Sequence, residues 1–210
     1  MKALPVLLLV LVLLLGSVMV AGAQGEVAAE SPPTAQEVAS MGEGSEEAGR
    51  LKEAASLLEG GKVAEAREIL DEVRLSLWNK APLECPVAVF VEEEPESFGV
   101  YRTRPSRVFA SGETMHVYAE LQNYTILQDE EVYHIFLTVS YNVYDSEGNH
   151  LGGENPWENF RFITQRPVYE FFLRLSFDFD IEPGEYTLEV IVKDRLAEKE
   201  TSFQLPFKRL

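Results

Sequence analysis

The sequence predicts a mainly β protein, an antiparallel β-sandwich of seven to eight strands preceded by a small α-helical hairpin. Three observations carry that expectation. From Pro86 onward apolar residues recur at every second position in run after run, with Gly-, Pro- and Asn-rich turns between the runs. Between residues 46 and 80 the apolar period lengthens to that of helices. The totals, 46% hydrophobic and 25% charged over 210 residues, suit one packed domain with an appendage.

The amino terminus speaks to compartment. Met1 and Lys2 precede an apolar run from Ala3 to Val20, and Ala21-Gly22-Ala23 supplies the small residues that signal peptidase reads. Residues 1–23 are expected to be a Sec signal peptide cleaved after Ala23, which makes the protein periplasmic or secreted. The run is nearly long enough to span a bilayer, so membrane association is expected only if the segment is kept as an anchor. Residues 24–45, rich in Ala, Glu, Gly and Ser around Pro32-Pro33, read as a disordered linker. Cys85 is the one cysteine, which excludes an intramolecular disulfide. It stands beside Pro86 with no basic neighbour to lower its pKa, and reads as a small buried residue rather than a reactive thiol.

In the helical stretch, 46–80, Ser45 is a fair N-cap, and Glu46 and Glu47 suit the positive end of a helix. Leu51, Ala54, Ala55, Leu57 and Leu58 form one apolar face, Ala66, Ile69, Leu70, Val73 and Leu77 another, and Gly60-Gly61 separates them. The run AASLLEGGKVAEAREILDEV, with Ala54 and Ala66 at the crossing and Leu57 and Leu70 as packing residues, resembles a single tetratricopeptide repeat. Arg50 departs from that pattern, standing where the repeat usually has an aromatic, and no second copy follows. The hairpin is therefore expected to dock on the β region or to mediate association, with Trp78 as the anchor.

The β region, 86–208, begins with PVAVFV and is closed by the acidic run Glu92-Glu93-Glu94 before Pro95. Arg102, Arg104 and Arg107 cluster around Pro105. Met115, Val117, Ala119 and Leu121 make one face of the next strand, with His116, Tyr118 and Glu120 opposite. The longest strand alternates from Tyr133 to Val143, with His134, Thr138, Ser140 and Asn142 on its wetter face. Gly152-Gly153 and Asn155-Pro156 mark a loop carrying Trp157, ahead of a short strand at Phe160 and Phe162. From Val168 to Phe179 the apolar face is Tyr169, Phe171, Leu173, Leu175, Phe177 and Phe179, and Glu170, Arg174, Asp178 and Asp180 point the other way. EPGEYTLEVIVKD and a closing strand through Thr201, Phe203, Leu205 and Phe207 complete a pattern of the immunoglobulin-like kind. The absence of a Cys–Trp–Cys arrangement excludes an antibody-type domain.

PGEYTLEVIVKD followed by a charged hairpin and SFQLPF resembles the closing strands of bacterial immunoglobulin-like domains on exported proteins, with Tyr186 as the corner tyrosine. With Phe109, Gly112-Glu113 and Tyr118, the pattern is similar to secreted proteobacterial proteins that carry a signal peptide, a helical segment and one such sandwich. The resemblance implies a fold and a compartment, and no activity.

A formal charge of −17 argues against nucleic acid and anionic membrane surfaces as partners, because both are bound through Lys and Arg. No HExxH, DxDxDG, GxSxG or phosphate-binding glycine loop occurs, so no catalytic residue, metal or cofactor is assigned. His116 and His134 would approach each other only if their strands pair. Asp178, Asp180 and Glu182 read as a solvated acidic face sooner than as a calcium site. The residues picked for ligand binding are Trp157, whose ring sits among polar neighbours, and Arg102, Arg104 and Arg107, the one basic cluster. Their plainer roles are to cap the sandwich and to pair with Glu92, Glu93 and Glu94. The expected function is a non-enzymatic interaction module of the cell envelope, binding an envelope protein or a glycan. The alternatives are an envelope hydrolase using surface carboxylates, or a structural protein that dimerises through the hairpin.

Overall fold

The computed structural model describes residues 45–210, so the expected signal peptide and all of the linker but Ser45 lie outside the described residues. These residues fall into two compact units, one of residues 45–77 and one of Trp78–Leu210.

The first unit is helical. Ser45 is extended, and its Oγ accepts a hydrogen bond from the Ala48 amide at 3.2 Å, which starts helix α1, Glu46–Glu59. Gly61, at φ 76°, turns the chain, and the Lys62 amide closes on the Leu57 carbonyl at 2.8 Å. Helix α2, Val63–Lys80, follows. Between the helices Ala54, Ala66, Ile69 and Val73 are buried, with Leu57 packed against them. Arg50 bonds to Glu72 and Glu53, and Ser76 donates to Glu47 at 2.6 Å, so ion pairs and hydrogen bonds flank the strip. The buried strip is narrower than the broad faces expected, because alanines at the crossing seat only one line of side chains. Leu51, Leu58, Leu70 and Leu77 stay between 41% and 51% exposed.

The second unit is mainly β, with nine strands among the described residues. Strands β1 (Glu84–Val91), β3 (Met115–Gln122) and β7 (Phe171–Phe177) form a small sheet with β3 in the middle. In the larger sheet β2 (Val108–Phe109), β9 (Lys199–Arg209), β8 (Gly184–Asp194) and β5 (Val132–Asp145) are neighbours in that order. The long β5 also pairs with β6 (His150–Thr164) and, near its start, with β4 (Leu127–Asp129). The count exceeds the seven to eight expected because β2 and β4 are only two and three residues long. All pairings are antiparallel except that of β2 with β9, where the Arg107 carbonyl accepts from the Lys208 amide and sets the two strands parallel.

The inner faces share an aromatic core. Phe90 packs edge-on to Phe109 at 5.0 Å, Tyr141 to Phe177 at 5.3 Å and Phe160 to Phe171 at 6.5 Å, joining the two sheets. Around them Val117, Leu137, Val139, Leu173, Leu175, Leu188, Val190 and Val192 are at most 1% exposed. Tyr186 donates its hydroxyl to the Glu182 carbonyl at 2.7 Å and stacks on Phe207, so it closes the corner into β8.

Two local expectations differ. The segment around Trp157 is part of one continuous strand, β6, rather than a loop, because register shifts opposite Val139–Tyr141 and Val143–Tyr144 absorb its irregular residues. In β7 every residue is buried, including Phe172 and Arg174 on the face expected to be wet. The chain after β1 folds over that face. Asp178, Asp180 and Glu182 lie beyond the end of β7, so they do not alternate along a strand.

Trp78 and Asn79, in the last turn of α2, belong to the β unit. The Trp78 Nε1 donates to the Tyr124 carbonyl at 2.8 Å, and its ring meets Tyr124 and Tyr169 edge-on. Asn79 bonds to both the amide and the carbonyl of Ile126, at 2.9 and 3.0 Å. Lys199 donates to the Asn79 and Asn123 carbonyls, both at 2.8 Å, and so caps the helix end.

Candidate functional site

The residues picked from the sequence occupy separate places. Trp157 is half-buried, stacked on Phe177 at 4.8 Å and edge-on to Tyr141 at 5.3 Å. Its ring continues the core between β5 and β7. Arg102 is exposed and lies 3.3 Å from Glu92 and 3.9 Å from Glu93. Arg104 pairs with Glu113 at 2.8 Å, donates to the Ser106 and Val108 carbonyls, and lies 4.3 Å over the Phe109 ring. It braces the approach to β2. The Arg107 side chain is exposed. Trp157, Arg102 and Arg104 share none of these partners.

His116 and His134 sit in different sheets, because β3 pairs with β1 and β7 and not with β5. His116 Nδ1 is 2.9 Å from Ser176 Oγ, and His134 is 3.7 Å from Asp129. Among the described residues no group of three His, Cys, Asp or Glu is placed to hold a metal ion. Burial, and then the charge of Glu120, pushes the Cys85 thiol up to about 12, and its Sγ donates to the Val87 carbonyl at 3.2 Å.

The register assembles a polar cluster that no single strand announces. Gln204 of β9, Glu189 of β8, Asn142 of β5 and Gly153 of β6 lie in one row across the large sheet. In the next row Tyr144 faces His150. These positions alternate with the buried Val143, Leu188 and Val190, so they share the sheet's outer face. One Glu189 oxygen accepts from Asn142 at 3.0 Å and from the Tyr144 hydroxyl at 3.1 Å, and the other accepts from Gln204 at 3.3 Å. His150 Nε2 is 3.2 Å from Asn142 Oδ1, and Ser140 bonds to Asn155 at 2.9 Å nearby. The Asn142 hydrogen bond, with those of Gln204 and Tyr144 and the nearby His150, outweighs partial burial and holds the Glu189 carboxyl below its ordinary value. On the face of β5 expected to be wetter, His134 and Asn142 are partly exposed, whereas Thr138 and Ser140 are buried. The grouping of Glu189, Gln204 and His150 was not legible in the sequence, since only pairing across four strands joins them.

The outer face of the small sheet carries a second cluster. Tyr118 is stacked between Tyr101 at 4.0 Å and Phe172 at 5.3 Å. Its hydroxyl accepts from the Gly99 amide and donates to Glu120, both at 2.7 Å. Arg174, directly across from Tyr118, is 8% exposed. A third feature is an open cleft of about 670 Å³ lined by Ser111, Leu151, Asp180, Glu182, Pro183 and Tyr186, among others.

No family model matches the chain, and no curated protein matches it. Solved structures are similar at low identity. The C-terminal domain of wzt is 12% identical, over 63% of this chain and 76% of that one, with a TM-score of 0.38. The CARDB domain of a Pyrococcus furiosus protein, in complex with di-metal ions, is 13% identical over 63% of this chain and 96% of that one, at 0.27. A Bacteroides uniformis β-glucuronidase is 13% identical over 60% of this chain but only 13% of its own length, at 0.28. Such scores carry no functional weight, and the two-sheet architecture rests on the pairings above.

Proposed function

We propose that the protein is a non-enzymatic binding module of an exported compartment, built on an immunoglobulin-like sandwich, whose large sheet binds a glycan around Glu189. The observation that carries this reading is the constellation of Asn142, Tyr144, His150, Glu189 and Gln204 on one outer sheet face. Planar amides donate to and accept from a sugar's hydroxyls, a carboxylate accepts from them, and a phenol ring beside them offers a flat apolar surface to the sugar's C–H face. The groups hold one another in place, so little ordering is needed on binding. The apolar Ala3–Val20 run supports export.

The test is calorimetric titration of the purified protein with a panel of neutral and acidic polysaccharides. Glu189→Gln and Asn142→Ala are expected to weaken binding at least about tenfold, the loss of one or two charge-assisted hydrogen bonds. Affinity should be level near neutrality and fall as acid protonates Glu189, at a pH below the ordinary value of a glutamate. Variants that bind as tightly as wild type, or a panel with no ligand, would overturn the reading. Release of reducing ends would favour the hydrolase alternative, for which Asp180 and Glu182 in the open cleft are the residues to replace.

A second reading is self-association through the helical unit. The exposure of Leu51, Leu58, Leu70 and Leu77 favours it, since four leucines on so short a hairpin are costly to leave in water.

A further inference from the structure

On the small sheet, away from Glu189, one arginine has donors that the protein itself does not use. Arg174 sits in the middle of β7, and its exposure is only 8%. Its Nε and Nη2 are buried and bond to no protein group. Nη1 is 3.5 Å from Glu94, an ion-pair distance longer than an ordinary N–H···O bond. Buried donors on a charged group are normally satisfied, and two on one side chain call for an explanation. Nε and Nη2 together form the side-on edge of the guanidinium, whose parallel N–H groups match the two oxygens of a carboxylate.

The cover over this edge is a segment and not a strand of the sheet. Residues 92–104 leave β1, cross the outer face and return, held by Glu92 N to Arg102 O at 3.0 Å and Arg104 N to Phe90 O at 2.9 Å. Tyr101 on Tyr118 and the Gly99 amide on the Tyr118 hydroxyl are its main attachments to the face. Glu94 rides on the same segment and is the one carboxylate paired with Arg174 among the described residues.

We propose that Arg174 is the anchor of a carboxylate-binding site, that residues 92–104 form its cover, and that Glu94 occupies it loosely in the free protein. A ligand carboxylate takes the Nε/Nη2 edge as a two-point pair, Glu94 and Tyr101 move off with the segment, and Tyr118 stacked on Phe172 is left on the sheet to flank the body of the ligand. Glu120 on β3 sets a preference for ligands with a single carboxylate, because it repels a second negative charge. This inference does not depend on the glycan reading, since the two sites lie on different sheets.

The experiment follows the Arg174 Nε–H resonance of the purified, ¹⁵N-labelled protein during titration. The probes are galacturonate and N-acetylalanine, carboxylates of sugar and peptide-end type, with galacturonate methyl ester as the neutral control and inorganic phosphate as a rival oxyanion. A saturable shift with one or both carboxylates and none with the ester is the expected result, and the stronger probe identifies the source. Glu94→Gln, a partly exposed side chain whose change leaves the core intact, should tighten binding about three- to tenfold by removing the competitor. Arg174→Lys should lose at least tenfold, because an ammonium cannot make the two-point pair, and its folding is checked by circular dichroism. An unmoved resonance with every probe overturns the proposal. So does binding that Glu94→Gln leaves unchanged, or a phosphate response equal to that of the carboxylates.

Discussion

Gly153 lets β6 lie close against β5. A Cβ built there would fall 2.2 Å from the Tyr141 carbonyl and 2.8 Å from Asn142 Oδ1. The first is backbone and cannot swing away, so β6 itself must shift. Gly153→Ala is expected to cost about 1–3 kcal/mol, the usual range for overpacking. It should also displace the Asn142 amide that holds Glu189. Gly152→Ala is the control, since its Cβ would meet nothing within 4 Å. Urea unfolding of both variants decides the matter, and equal midpoints would remove the close approach as the reason for Gly153. At the same scale, Arg209 is 1% exposed and donates to the carbonyls of Ala110, Glu113 and Phe179. Its charge is met by carbonyl dipoles from two chain connections, with no carboxylate paired to it among the described residues, and the turns on either side of β9 are tied together.

Among the elements, the end of α2 is the one whose fixation depends most on side chains. Asn79 satisfies both the amide and the carbonyl of Ile126, a residue that is itself fully buried. Asn79→Ala leaves both backbone groups without their partner. A loss of about 1–3 kcal/mol is expected, against well under 1 kcal/mol for a change at an exposed residue such as Lys52→Ala. Guanidinium denaturation with global fitting checks it, and an Asn79→Ala midpoint equal to wild type would show that water replaces the amide freely. Elements that repeat one period were legible in the sequence. β5 and β8 alternate strictly, and their inner residues Leu137, Val139, Leu188, Val190 and Val192 are all at most 1% exposed. Ser45 could be identified as a cap from its neighbours alone, because capping is local. What escaped was set by distant chain. Arg174 looked wet because the cover over it comes from residues 92–104, some seventy positions earlier. β6 looked broken because Gly153 and Asn155-Pro156 carry turn chemistry, and only the pairing of Glu154 and Glu158 with β5, across a register shift, joins the two halves into one strand. The polar site around Glu189 escaped for the same reason, since register between strands is a tertiary quantity.

For the molecule as a whole, surplus acidity and exposed leucines pull in opposite directions. A net charge of −17 keeps copies apart through repulsion that salt screens over about 10 Å at 0.1 M. Leu58 and Leu70, 48% and 41% exposed, offer apolar area that salt does not weaken. If the helical unit mediates pairing, association should therefore strengthen as sodium chloride rises from 0.05 to 0.5 M, the reverse of a contact built on ion pairs. Sedimentation velocity of the purified protein across that range should show a monomer giving way to a dimer at tens of micromolar. Leu58→Gln with Leu70→Gln should return it to monomer at every salt concentration, with the helices intact because both side chains lie outside the strip of Ala54, Ala66, Ile69 and Val73. A wild-type monomer throughout, or a dimer that the double variant leaves unchanged, would leave the hairpin without a role in association and place the burden of function on the two sheet faces.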